Sequence, residues 1–326
     1  MYNCLMNSKH FIGIDVGGTK IAAALVTANG KILARAKSPT PPNAKGKDIL
    51  KTILKTVDEI RFEYLSGKLG GIGIGIPGIA LPRTHEIIVT PNIKLAGFPL
   101  KKELSRRFKM KIVIDNDVNC GLLGEQWLGA ARKVKNVIGL FPGTGIGGAI
   151  IINGKLVTGS QGAAAELGHM IMDINGPACS CGNHGCLEAL ASRWAIQRDI
   201  RAAIKSGKKS MITQLTKGDL SIIKSKALKE SLRQRDHVVV TVMTNAANVL
   251  GRACVSINHI FNPEMIVLGG GVMEACGDFL LPRIRKIVKD DPFFKKFKPC
   301  QIVAAELEDN AVILGAVALT RMGHPA

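Results

Sequence analysis

Apolar residues fill positions 11–16 and 21–26 almost without interruption, which marks strands buried in a sheet. Asn29 and Gly30 separate the second run from a third at 31–36. Asn-Gly is the dipeptide that a tight hairpin turn favours, so the chain opens as an antiparallel β unit. Between 48 and 65 the apolar positions Ile49, Ile53, Leu54, Val57, Ile60 and Leu65 approximate one helical face, and residues 70–76 read as a buried strand. The same reading predicts a helix over 101–108, a strand over 112–114, a helix over 119–128 and a strand over 137–141. Asp115, Asn116 and Asp117 are capping candidates for the second of these helices. A second hairpin follows over 149–157, turning at Asn153 and Gly154. Beyond 187 the pattern is mostly helical, with a lysine-rich stretch at 205–229 and a long helix from about 232 to 259. A buried strand at 266–268, a helix around 279–288, a strand at 302–304 and a final helix at 311–321 complete the chain.

Strand, glycine-rich turn, hairpin and helix thus occur twice, roughly 130 residues apart. The repetition predicts two similar α/β domains, with a cleft between them where both glycine turns face one ligand. The expected division is an N-terminal domain over 1–115, completed by the C-terminal helix at 310–326, and a C-terminal domain over 116–309 that carries a cysteine-rich loop at 169–186.

Composition narrows the function classes. At 326 residues and 46% hydrophobic content the chain buries cores without a disulfide or metal scaffold. No apolar run reaches the roughly 18 residues of a membrane span. The first ten residues lack the layout of a secretory signal, and eight cysteines are too few for a disulfide framework, so a reducing cytoplasm is the expected compartment. The 44 lysines and arginines exceed the 25 acids to give a net charge of +19. Nucleic-acid binding would use that charge, yet stacking on single strands also wants aromatics, and they make up only 4% of the chain. The basic residues are spread over 101–111, 201–235 and 283–298 among apolar ones, as on solvated helix faces. An anionic small substrate, a nucleotide or polyphosphate, would also profit from this field.

Two glycine turns carry the candidate chemistry. Asp15-Val16-Gly17-Gly18-Thr19-Lys20 lies between two strands, where residues without side chains let backbone N–H groups approach phosphate oxygens. Asp15 beside a phosphate calls for a cation between them, which makes it a candidate for holding Mg2+ through water; the alternative is an ordinary turn with a capping aspartate. Gly143-Thr144-Gly145-Ile146-Gly147-Gly148 has the Gly-x-Gly-x-x-Gly spacing, as do residues 73–78, but a dinucleotide fingerprint opens a helix and a strand is expected after this one. A pair of phosphate clips remains, with Gly269 to Gly271 after a third strand as a nucleotide-side surface. Phosphoryl transfer is the reaction such parts suit.

His169 is followed by Cys179, Cys181 and Cys186 in a stretch broken by Gly176, Pro177, Gly182 and Gly185. Three thiolates and an imidazole form the closed tetrahedral set of structural zinc, with His184 as an alternative nitrogen ligand. Cys4, Cys120, Cys254, Cys276 and Cys300 are isolated and read as buried apolar fillers.

These motifs, together with Asn116-Asp117, Glu166-Leu167-Gly168-His169, Cys179-Ser180-Cys181-Gly182-Asn183-His184-Gly185-Cys186-Leu187-Glu188 and Leu268-Gly269-Gly270-Gly271-Val272, resemble those of the ROK (repressor, open reading frame, kinase) sugar kinases over residues 12–318. The resemblance implies two actin-like ATPase (ribonuclease H-like) domains and an ATP-dependent hexose kinase, glucose at its 6-hydroxyl coming first. N-acetylmannosamine and N-acetylglucosamine are the next substrates, polyphosphate is an alternative donor, and a sugar-sensing protein without catalysis is the alternative from another class. It implies Asp117 as general base, whereas the residues alone favour Asp115 or Asp117 as a plain helix cap. Asn116, Glu166, His169 and Glu188 would bind sugar hydroxyls. Gly17, Gly18, Thr19, Gly143, Thr144 and Gly145 would line the phosphates, with Gly270 near the adenosine. His169 would serve both zinc and sugar, and family habit implies a homodimer or tetramer. Ala165 stands where the family commonly has glycine and Phe98 where many glucokinases have tryptophan. About ten residues precede the first strand, too few for the helix-turn-helix of the family's repressors.

Overall fold

The computed structural model describes residues 9–64, 69–91 and 93–322. Cys4, Leu65 and the last four residues of the expected C-terminal helix lie outside them. The chain divides into two units, one of Met1–Lys133, Gly154–Ala164 and Asp309–Ala326, the other of Val134–Asn153 and Ala165–Glu308.

In the first unit, strands β1 (His10–Val16), β2 (Lys20–Thr27) and β3 (Ile32–Pro39) form an antiparallel meander, and β4 (Leu69–Ile76) and β7 (Ile112–Asn116) add parallel to β1, giving the order β3-β2-β1-β4-β7. Side chains alternate across a sheet. Ile12, Ile14, Ile72, Ile74 and Ile76 join one core with Ile49, Ile53 and Val57 of helix α1 (Gly46–Tyr64) and Leu100 and Leu104 of α2 (Leu100–Phe108). The opposite face presents small residues, so helix α10 (Ala311–Met322) lies directly on the strands, and a Cβ at Gly73 would sit 1.9 Å from the Ala316 carbonyl. Helix α3 (Asp117–Leu128) is as close to α10: a Cβ on Gly315 would meet the Cys120 carbonyl at 1.6 Å. This packing places α3 with the first unit, so the division falls after Lys133, not at the expected 115/116. Residues 79–80 and 87–89 form a small antiparallel pair, β5 and β6, absent from the sequence reading.

The second unit repeats the arrangement. Strand β8 (Val137–Pro142) pairs antiparallel with β9 (Ile146–Ile152), and β11 (Met265–Leu268) and β12 (Gln301–Ala304) add parallel on its other side. Thus β8, β9, β11 and β12 correspond in order to β1, β2, β4 and β7. Asn153 (φ 53°) and Gly154 (φ 75°) both take the left-handed conformation of a tight hairpin turn before the short strand β10 (Lys155–Leu156).

Helices α4 (Leu187–Ala191), α5 (Arg193–Lys205), α6 (Ile212–Leu215), α7 (Ser225–Arg233), α8 (His237–Phe261) and α9 (Gly271–Lys289) complete this unit. The long helix starts at 237, not 232, because Arg235 turns left-handed at φ 56° and the Asp236 side chain caps the Val239 N–H at 3.0 Å. Likewise α9 starts eight residues before the expected 279 and absorbs a kink at Cys276. By length and mean hydropathy, 1.4, α8 matches a membrane span, a property missed by looking only for uninterrupted apolar runs. Within the unit it is a core helix, with Val239, Met243, Leu250 and Ile257 fully buried. Cys120, Cys254 and Cys276 are buried and Cys300 is half-buried.

Candidate active site

The first glycine turn closes where the Gly17 N–H donates to the Lys20 carbonyl at 2.9 Å. Thr40 holds it from the side, its hydroxyl donating to the Gly17 carbonyl at 2.7 Å and its N–H to the Thr19 carbonyl at 3.0 Å. With the carbonyls engaged, Gly18 and Thr19 are exposed, and their N–H groups have no backbone partner among the described residues. Such a turn suits an anion. Asp15 lines a cavity of about 310 Å³ with Lys20, Arg35, Lys37 and Asp309. Burial raises its pKa from 3.8 to about 6, with Lys20 opposing the shift and Asp309 adding to it. Lys20, which the sequence could not place, is paired with Asp309 at 3.1 Å.

At the end of β7 the three acidic and amide residues separate into different roles. Asp115 points into the protein, accepting from the Asn116 N–H at 2.7 Å and the Asn119 amide at 2.8 Å. Asn116 is the helix cap: its side-chain oxygen accepts from Val118 and Asn119 N–H, and its Nδ2 donates to the Gly78 carbonyl at 2.9 Å. One amide hydrogen remains for a further acceptor. Asp117 is the first helical residue, half-buried, with Oδ1 accepting from the Val118 N–H at 2.9 Å. The capping alternative therefore falls to Asn116.

In the second unit, residues 143–145 connect β8 and β9, and no helix follows, so the dinucleotide spacing is fortuitous there and also at residues 73–78, which run out of β4. The Gly143 carbonyl accepts from the Arg193 N–H at 3.0 Å, which fastens the start of α5 to the turn. Glu188 supports the turn from beneath: its Oε2 accepts from the Ile146 N–H at 2.9 Å and its Oε1 from the Ser180 hydroxyl at 3.0 Å. The carboxylate expected on the sugar thus joins the second glycine turn to the cysteine loop. Thr144 and Glu166 are exposed. Gly270, at φ 78°, needs its glycine; it caps α9 beside a cavity of about 460 Å³ lined by Gly269, Met273, Asp278, Arg285, Ala304 and Ala305.

The ligand atoms of His169, Cys179, Cys181 and Cys186 all lie within 4.8 Å of one another, and His184 is not among them. Cys181 and Cys186 sulfurs are 3.7 Å apart, as are the Cys179 sulfur and His169 Nδ1. Zinc–sulfur bonds of about 2.3 Å at tetrahedral angles place neighbouring sulfurs about 3.8 Å apart, so this set of three sulfurs and one imidazole fits a tetrahedral zinc ion. The Asn183 backbone N–H lowers the Cys181 pKa, which favours the thiolate a metal needs. His169 reaches the cluster from a single 3-10 turn (Leu167–His169) that starts behind Ala165, held left-handed at φ 66°.

Sequence reasoning missed three residues that shape these turns. Thr40 and Arg193 are distant in sequence from the loops they hold, and Ser180 gave no signal beyond its place among the cysteines.

The ROK family model matches residues 11–322. The glucokinase of Thermotoga maritima is 36% identical over 95% of this chain and 96% of its own. The xylose repressor of Caldicellulosiruptor bescii is 30% identical over 94% of this chain and 77% of its own. Among solved structures, a ROK family glucokinase from Streptomyces griseus, in complex with glucose and AMPPNP, superposes with a TM-score of 0.81 at 33% identity, covering 96% of this chain and all of that one. Two α/β units with repeated strand order, a glycine turn in each, and a match over nearly the whole length lead to one conclusion: this chain belongs to the ROK family.

Proposed function

We propose that the chain is an ATP-dependent hexose kinase that phosphorylates the 6-hydroxyl of glucose. The observation that carries this reading is Asp117: a half-buried carboxylate on the first turn of α3, next to the Asn116 cap, in a chain 36% identical to a glucokinase over 96% of that protein.

Asp117 accepts the proton of the sugar hydroxyl while the hydroxyl oxygen attacks the γ-phosphorus. The new O–P bond forms as the bond to the β–γ bridging oxygen breaks, ADP departs with that electron pair, and the proton rests on Asp117. The remaining Asn116 amide hydrogen, Glu166, His169 and Glu188 bind the other sugar hydroxyls. Gly17, Gly18 and Thr19 on one unit, and Gly143, Thr144 and Gly145 on the other, present N–H and hydroxyl groups to phosphates, with Gly270 beside the adenosine. Asp15, desolvated enough to hold its proton until about pH 6, gains from a divalent cation and would hold Mg2+ through water, where the ion neutralises phosphate charge. Zinc would order the loop: with one ring nitrogen of His169 on the metal, the other is fixed as a hydrogen-bonding group for the sugar.

Glucose comes first because glucokinases recur among the relatives. The second reading, a sugar-sensing protein without catalysis, rests on the xylose repressors among them. Incubation with glucose, N-acetylmannosamine or N-acetylglucosamine and either ATP or polyphosphate, followed by detection of ADP and sugar phosphate, tests the proposal. Turnover of glucose with ATP is expected. Sugar binding without turnover from either donor would transfer the assignment to the sensor.

A further inference from the structure

Arg193 is the first residue of α5, and its backbone is fixed by the bond to the Gly143 carbonyl at 3.0 Å, with the Trp194 N–H on the Thr144 carbonyl at 3.4 Å. From there its side chain runs to the other glycine segment of the same unit. A Cβ built on Gly271 would lie 2.6 Å from Arg193 Nη2, so the absence of a side chain at 271 is what lets the guanidinium lie there. Its Nε is buried and has no hydrogen-bond partner. Among the described residues no carboxylate forms an ion pair with it, although arginines 106, 198 and 233 each have one.

A buried guanidinium nitrogen without an acceptor is costly, and a charge in that state calls for an anion. The surroundings are two glycine segments, and a Cβ built on Gly143 would meet nothing within 4 Å among the described residues. Arginine's planar fork matches phosphate oxygens two at a time. We infer that Arg193 binds the phosphate chain of the donor, its guanidinium spanning from the turn at 143–145 to Gly271. The inference rests on the kinase reading, which puts the donor phosphates on that turn and the adenosine near Gly270. It adds a residue that the motifs did not mark. It also gives the +19 chain one specific cationic contact for the donor, whether ATP or polyphosphate.

The test compares Arg193→Gln and Arg193→Lys with the parent protein by titration calorimetry against MgATP, inorganic tripolyphosphate and glucose. Zinc content and thermal unfolding establish that the variants are folded. The Gln variant is expected to bind MgATP and tripolyphosphate about tenfold to a hundredfold more weakly, with glucose affinity unchanged. The Lys variant is expected between it and the parent, because it keeps the charge but not the fork. Equal binding of MgATP by parent and Gln variant overturns the inference, as does a parallel loss of glucose affinity, which would mark a structural role. If Arg193→Gln does not fold, the Lys variant decides: MgATP affinity equal to the parent's counts against the inference. A parent that binds neither MgATP nor tripolyphosphate removes the kinase reading itself, and the inference with it.

Discussion

The Ile146 N–H donates to the Glu188 carboxylate at 2.9 Å, a bond that ties the second glycine turn to the cysteine loop. A Cβ on Gly145 would lie 2.2 Å from the same carboxylate, Oε2, so that position tolerates only glycine while Glu188 stays in place. Gly145→Ala is expected to cost about 1–3 kcal/mol by overpacking. Glu188→Ala is expected to cost a similar amount, because it strands the Ile146 donor. Denaturant unfolding of the double variant should cost clearly less than the sum, since the second substitution removes the clash of the first. Additive costs would show that the two residues do not meet.

Metal analysis of the purified chain is expected to give one zinc per molecule, held by His169, Cys179, Cys181 and Cys186. Cys181→Ala should lose it, lower the unfolding temperature and weaken glucose binding, because His169 loses its fixed orientation. His184→Ala should keep it. Loss of zinc from the His184 variant would contradict the ligand set.

Asp15 has a testable signature in pH. Its folded pKa lies near 6 against 3.8 for an unperturbed aspartate, so between those values the folded chain holds a proton that the unfolded chain has released. Stability contributed by this group therefore falls as pH rises from about 4 to about 6, and is level above. The effect is at most about 3 kcal/mol, reduced by the water that reaches the half-buried group. In magnesium-free buffer, Asp15→Asn should be more stable than the parent at pH 7.5 and no different at pH 4. A gap independent of pH would contradict the shift.

Much of the fold was legible because it is written in local pattern. The apolar runs gave β1, β2, β4 and β8, the Asn-Gly dipeptides gave the hairpins, and the recurrence of both gave the duplication. The cysteine and histidine cluster was legible because three thiols and an imidazole fall within one short segment. What escaped was tertiary. The packing of α3 on α10 moved the division between units to Lys133, and no local signal carries that. Adjacent Asn116 and Asp117 could not be told apart as caps until the helix start fixed Asn116 as the cap and put Asp117 inside the first turn. The pairing of Lys20 with Asp309 spans 289 residues of sequence.

Ala165 departs from the family's glycine and sits at φ 66°, a conformation that costs an L-residue about 1–2 kcal/mol. Ala165→Gly relieves that strain but adds backbone freedom to the unfolded chain worth about 0.4–1 kcal/mol. A net gain of up to about 1 kcal/mol in denaturant unfolding is expected. Ala165→Val, branched at Cβ, should lose more than 1 kcal/mol. A destabilising glycine here would show that the turn is unstrained.

The reading of the chain as a kinase turns on Asp117, and the direct measurement is made on Asp117→Asn, which removes the proton acceptor while keeping the shape. Steady-state turnover of glucose with MgATP should fall by about a hundredfold or more, the range for loss of a general base. Calorimetric glucose affinity and zinc content should equal the parent's. Turnover within a few-fold of the parent would show that the hydroxyl proton goes elsewhere and would remove Asp117 from the chemistry.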